Sequence, residues 1–200
     1  MNFLAHIYLS GEDPQLQLGN FAADSIKGKK YLDYPEGFKN GILVHRAIDS
    51  YTDSHPIVRQ SISRLFPKYR HYSGVIVDIL YDHYLAANWN NYSDIPLATY
   101  CQNFYELLEQ NFDVLPTKVQ NFMPYMIQNN WLLSYATIPG IATILDQMNH
   151  RTKNVSKMSF AVVELEQYYK EFEEEFTNFF PNLELHVFNT IRALNKKIEI

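Results

Sequence analysis

The chain has one cysteine, Cys101, so no internal disulfide can form and a reducing cytoplasm is the expected compartment. It lacks a Gly-x-Ser-x-Gly turn for a serine nucleophile and a G-x-x-x-x-G-K-[ST] loop for a nucleoside triphosphate. Cys101 itself lies in TYCQNFYELL, which reads as packed helix rather than as a thiol nucleophile. Without a cysteine cluster, a thiolate zinc site is excluded too. Long apolar runs are also missing. The most apolar segment, SGVIVDILYDHYLA at 73–86, is interrupted by Asp78 and Asp82 and cannot span a bilayer. The opening MNFLAHIYLS has neither a basic n-region nor a small-residue cleavage site and makes a poor signal peptide, so no membrane partner is expected. Positive charge is in short supply: 17 Lys and Arg against 22 Asp and Glu leave a net charge of −5, which argues against a general nucleic-acid binder.

What is present describes a globular protein. Two hundred residues that are 46% hydrophobic and 20% charged can bury a core unaided, and one domain over 1–200 is expected. The 15 Tyr and 13 Phe supply core or cleft walls. Strand alternation is weak and helical periodicity widespread, which predicts an all-α bundle. Helices are expected at about 14–27, 36–53, 56–66, 70–90, 96–111, 117–135, 139–150 and 158–179, with a last one near 183–197. Pro35, Pro56 and Pro96 fall at helix starts, where a missing N–H costs nothing. The segment 162–180, VVELEQYYKEFEEEFTNFF, sets an acidic face opposite an aromatic one and reads either as an outer amphipathic helix or as an acidic docking surface.

Four polar groups interrupt apolar stretches. In LVHRAIDSYTDSH, His45, Asp49 and Asp53 recur every four residues, which places neighbours only ~40° apart on a helix and about 6 Å apart along its axis. Asp24 stands in LGNFAADSIKG, Asp78 and Asp82 share a face of DILYDH beside His83, and His6 lies in the opening segment. Each has an ordinary reading. Asp24 can cap or face water, His45–Asp49 can be a solvated pair, and His6 can be a satisfied core histidine. Two close carboxylates flanked by Val77, Ile79 and Leu80 are harder to dismiss, because burial demands a cation or a proton. Jointly, oxygen and imidazole ligands from three helices suit a hard divalent ion, Mn²⁺, Mg²⁺ or Fe²⁺, inside a bundle. Such an ion lowers the pKa of bound water and neutralises phosphoryl oxygens, which is hydrolytic chemistry.

The stretch 54–77 has no Asp or Glu but carries Arg59, Arg64, Lys68 and Arg70, and KGKK at 27–30 adds three cations. These form either a landing area for an acidic partner or phosphate, or a surface balanced against acidic 164–175.

The motifs MNFLAH, GNFAAD with KG following, HRAIDSYTD and DILYDHYLA, in that order over roughly the first 90 residues, resemble the acyl-carrier-protein phosphodiesterases, or holo-ACP hydrolases. The later half agrees more loosely, through Trp131, Leu132, Leu145, Met148 and Arg151, and Ser25 stands where relatives carry an aromatic residue. The resemblance implies an architecture distantly like the HD-domain phosphohydrolases and a preference for Mn²⁺. It implies hydrolysis of the phosphodiester that joins 4′-phosphopantetheine to a serine of acyl carrier protein. Carried over by residue, it implies His6, Asp24, His45, Asp49, Asp78 and Asp82 as metal ligands, with His83 as a further ligand, general acid or orienting base. Asp24 would also act in catalysis, Lys27, Arg46 and Arg151 would clamp the phosphate, and stretch 54–77 would receive the acidic carrier. Two other readings stand beside it: a related hydrolase of nucleotides or other small phosphodiesters, with Tyr81 and Tyr84 to stack a base, and a non-catalytic helical module for an acidic partner.

Overall fold

A computed structural model describes residues 1–196, and within them every regular element is helical. Eleven α-helices follow one another: α1 (Phe3–Leu9), α2 (Pro14–Ala22), α3 (Glu36–Ser54), α4 (Pro56–Tyr69), α5 (Ser73–Ala87), α6 (Leu97–Gln110), α7 (Thr117–Gln128), α8 (Trp131–Ser134), α9 (Ile138–Arg151), α10 (Ala161–Gln167) and α11 (Tyr169–Lys196). Their starts follow local chemistry. Asp13 accepts the amides of Gln15 and Leu16 ahead of Pro14, and His55 accepts that of Ile57 ahead of Pro56. Thr137 caps α9 in the same way through Gly140.

Helix α5 is the centre of the molecule. Ile76, Val77, Ile79, Leu80, Tyr81, Tyr84 and Leu85 are all fully buried, so this helix is apolar nearly all round and packs against α1, α4, α9 and α11. From α11, Phe172, Phe176, Phe179 and Phe180 close the core over Tyr81 and Tyr84. Burial takes both tyrosines out of contention for stacking a nucleobase.

Four departures from the periodicity have physical causes. Phe3–Leu9 is helical although no helix is expected there, because α5 meets most of its first-turn amides while Asn2 caps only Phe3 (below). The expected 117–135 helix divides at Asn130, which takes a left-handed conformation with φ 47°. The expected 158–179 helix divides at Tyr168, whose ψ of 30° ends α10. The gap expected between 179 and 183 does not exist: α11 runs through Pro181, since the burial of Phe179, Phe180 and Leu183 outweighs one lost backbone hydrogen bond. The end of the helix expected near 183–197 falls outside the described residues. No described helix is long and apolar enough to cross a membrane.

Helices α2 and α3 pack closely, and two glycines permit it. A Cβ on Gly19 would stand 2.0 Å from the Phe38 carbonyl oxygen, and one on Gly41 would stand 2.4 Å from that of Leu16. Gly41→Ala is therefore expected to destabilise the fold by about 3 kcal/mol despite alanine's better helix propensity. At 2–4 °C per kcal/mol for a chain of this size, calorimetry would register a fall in Tm of roughly 6–12 °C.

Candidate metal centre

Close packing of α2 on α3, with α1 against α2, brings three polar side chains together. The His6 and His45 rings stack with centroids 4.0 Å apart and planes 19° apart. Asp49, one turn beyond His45 on α3, sits between them: Oδ1 is 3.3 Å from Nε2 of His6 and Oδ2 is 3.1 Å from Nε2 of His45. One donor atom from each of these residues falls within 4.8 Å of the other two, the spacing a single metal ion needs. Asp24, in the turn after α2, places Oδ1 3.3 Å from the same His45 nitrogen.

The decisive feature is what the imidazoles lack. Nε2 of His6 and Nε2 of His45 are both buried and neither has an aligned hydrogen-bond partner, although carboxylate oxygens lie close by. Buried orphan nitrogens are costly in a protein and ordinary at a metal site. Burial and the His45 charge push His6 down to about 4 despite Asp49. Burial opposes the protonation of His45 too, yet Asp24 and Asp49 override it and raise that ring to about 9. Asp49 would be raised by burial alone, but the two imidazoles hold it far below the usual carboxylate range. The His45 ring beside it likewise lowers Asp24. Such a strongly coupled anionic pocket fits a divalent cation. The set stays open on one side: the Asp24 side chain is 74% exposed and that of Asp49 43% exposed, on a cleft of about 220 Å³ that Asp53 also lines. Structural metal sites close their coordination, whereas an ion held by this set would keep room for a water or a substrate oxygen.

A larger cleft of about 590 Å³ continues from the first, sharing Met1, Asn2, Phe3, Phe21, Asp24 and Asp78 with it. Its far wall is mostly apolar, with Phe122, Trp131, Ile144 and Met148, and carries Lys118 and Arg151.

The family pattern for "Acyl carrier protein phosphodiesterase" matches residues 1–183. The chain belongs to that family. A protein of Pectobacterium atrosepticum named acyl carrier protein phosphodiesterase is 35% identical over 184 residues, covering 92% of this chain and 95% of its own. Similarly named proteins of Photorhabdus laumondii and Yersinia pestis are 32% and 30% identical, covering 90% and 92% of this chain and 92% and 95% of theirs. No solved structure matches.

In this family member the expected ligands divide into two groups. His6, His45 and Asp49 meet, with Asp24 at their edge. Asp78 and Asp82 do not join them. Asp78 accepts the Met1 ammonium at 2.7 Å, an ion pair that meets the demand for a cation. Burial raises the Asp78 pKa and the ammonium counters it. Asp82, fully buried, accepts the amides of Asn2 at 2.9 Å, Leu4 at 2.8 Å and Ala5 at 3.3 Å. It thus satisfies the first turn of α1 from across the core, as a local cap otherwise does. Burial pushes its carboxyl up to about 7 against these donors and the Met1 ammonium.

His83 faces elsewhere: Nδ1 donates to the Tyr135 carbonyl at 2.8 Å and Nε2 accepts from the Tyr169 hydroxyl at 3.1 Å. Both nitrogens are thereby engaged, and His83 lies outside the cluster of His6, His45 and Asp49. Arg46 braces the loop after Asp24, donating to the Gly28 carbonyl at 2.9 Å and covering the Tyr31 ring at 4.8 Å, and lines neither cleft. Lys27 is exposed and lines neither cleft. Arg151 lies on the larger cleft, 5.9 Å over the Trp131 ring.

The basic stretch also divides. Arg64 makes a bidentate pair with Glu175, and Lys68 pairs with Glu164, so these two cations are balanced against 164–175 rather than held for a partner. Arg59 reaches the Asp53 carbonyl, and Arg70 covers Phe66. The residue that sequence reasoning passed over is Asn20, fully buried between the two imidazoles. Its signal was present: an amide beside a glycine in GNFAAD, inside an apolar stretch with no turn to explain it.

Proposed function

We propose that this chain is a divalent-metal-dependent phosphodiesterase that removes 4′-phosphopantetheine from the serine of holo-acyl carrier protein, yielding apo-carrier protein. Membership of a family whose relatives are named for that substrate class supports the reading. The observation that carries the metal is the pair of buried, unpartnered Nε2 atoms trained on Asp49. His6, His45 and Asp49 would hold the ion, with Asp24 completing or flanking the set. When bound, Mn²⁺ or a similar ion supplies a Lewis acid for the phosphoryl oxygens and a water of lowered pKa.

The chain's own residues do the rest. In the net reaction, water adds its oxygen to phosphorus, the bond from phosphorus to the serine oxygen breaks, and that oxygen leaves with a proton. Asp24, exposed at the cleft mouth and held anionic, is placed to orient the water or to take its proton. The apolar wall of Phe122, Trp131, Ile144 and Met148 suits a flexible, largely neutral arm, and Arg151 offers a charge on that path. The Lys27, Lys29 and Lys30 loop next to Asp24, stiffened by Arg46, would meet the acidic carrier and raise its encounter rate.

Mass spectrometry of holo-carrier protein incubated with the chain and Mn²⁺ tests the reading directly. The expected outcome is a loss equal to phosphopantetheine, abolished by EDTA and restored by added Mn²⁺. No loss across several carrier proteins would overturn it. Mn²⁺ at 100 times its Kd should also stabilise the fold by about 2.7 kcal/mol, a rise in Tm of roughly 5–10 °C. A non-catalytic module would show neither effect.

A further inference from the structure

We infer that Asn20 is a positioning residue that fixes the proton on Nδ1 of both His6 and His45, so that each ring turns its Nε2 lone pair toward the one cation they share. The inference rests on the metal reading above, but its geometry stands on hydrogen bonds alone. The Asn20 amide nitrogen donates to the His6 carbonyl oxygen at 2.8 Å and to Ser10 Oγ at 2.8 Å. A carbonyl oxygen can only accept, so the amide cannot be flipped without setting two acceptors against each other. Ser10 strengthens the assignment, because its own hydroxyl proton goes to the same His6 carbonyl at 2.9 Å and leaves Oγ free to accept.

The amide oxygen is thereby committed to the other side, where it meets Nδ1 of His6 at 2.8 Å and Nδ1 of His45 at 3.1 Å. An oxygen without a proton can face two ring nitrogens at these distances only if both carry hydrogen. Both lone pairs of that oxygen and both N–H bonds of the amide are used, in a side chain with no solvent exposure. A neutral ring protonated at Nδ1 bears its lone pair on Nε2. Those are the two nitrogens left without hydrogen-bond partners. One amide thus sets the tautomer of two metal ligands on two different helices, a role usually spread over a separate acceptor for each histidine.

The spacing that allows this is set by missing side chains. Gly19 precedes Asn20 on α2 and faces α3, and a Cβ on Gly41 would come within 2.8 Å of the Asn20 backbone nitrogen. Only helices this close let one amide oxygen touch a ring on each side.

The test pairs a metal readout with one that needs no metal. ¹⁵N-labelled histidine spectra of the parent protein without metal, followed to a pH at which both rings are neutral, report which nitrogen carries the proton. Both rings are expected as Nδ1–H tautomers, and an Nε2–H signal from either would overturn the proposal. Mn²⁺ binding is then measured by titration for the parent, Asn20→Asp and Asn20→Leu, with circular dichroism as the check on folding. Asn20→Leu removes the acceptor at similar volume and is expected to weaken Mn²⁺ binding by about 10–100-fold. Asn20→Asp keeps an acceptor toward both rings and is expected to retain most of the affinity. Unchanged Mn²⁺ affinity in Asn20→Leu, or equal losses in both variants, would show that Asn20 is only packing. If the parent binds no Mn²⁺, the metal reading fails while the tautomer measurement still decides the role of Asn20. Should Asn20→Leu fail to fold, the parent spectra and Asn20→Asp carry the decision.

Discussion

His45→Ala is expected to abolish carrier-protein hydrolysis and to weaken Mn²⁺ binding by more than about 100-fold, since loss of a group that merely orients a ligand already costs 10–100-fold. His45 is the hinge of the cluster: its Nε2 lies within 3.3 Å of carboxylates from two separate segments, and its Nδ1 engages Asn20. Losing the metal removes several kcal/mol of transition-state stabilisation, which corresponds to about 10³-fold or more in rate. The fold should survive, because the truncated ring borders an open cleft rather than the packed core. Circular dichroism, isothermal titration with Mn²⁺ and the mass assay together check the expectation. Asp53→Ala is the control, as it lines the same cleft one turn beyond Asp49 without belonging to the three-residue cluster. A loss in Asp53→Ala equal to that in His45→Ala would move the metal down α3 and refute the assignment.

Asp82→Asn is expected to act through the fold first and activity second. The two carboxylate oxygens accept amides of Asn2, Leu4 and Ala5, all donors. An asparagine can offer only one oxygen, so its NH₂ must oppose at least one backbone N–H in a site without solvent. Buried donors left unpaired cost about 1–3 kcal/mol each, so a loss of about 3 kcal/mol and a fall in Tm of roughly 6–12 °C are expected. Metal affinity should fall as well, because His6 rides on the helix that this carboxylate anchors. If Asp82 were itself a ligand, Mn²⁺ binding would drop with no change in the stability of the metal-free protein. Thermal melts in EDTA therefore separate the two roles.

These two residues show how far the sequence could be read. Four-residue spacing placed His45 and Asp49 on one stripe of α3, and that stripe is where the structure gathers ligand atoms. Proline marked helix starts for local reasons, and those starts hold at Glu36, Pro56 and Leu97 to within about a residue. The carboxylates on α5 had the same apolar flanks as a ligand pair and the same need for positive charge. Their partners, the Met1 ammonium and a row of backbone amides, arrive from some eighty positions away. Periodicity shows that a group is buried and not which distant donor meets it. Arg64 and Lys68 differ again, because acidic 164–175 was in view as their counterweight and the ion pairs follow it. Pro181 marked a break that burial on both sides overrode.

The seven-residue opening helix has no means of standing by itself. Its footing belongs to Asp82, so a nascent or partly melted chain has no assembled ion trap: one imidazole is adrift until the two ends of an eighty-residue loop have closed. Any cation captured by this cluster would thus report completed tertiary assembly, since the chain could not be loaded before it is built.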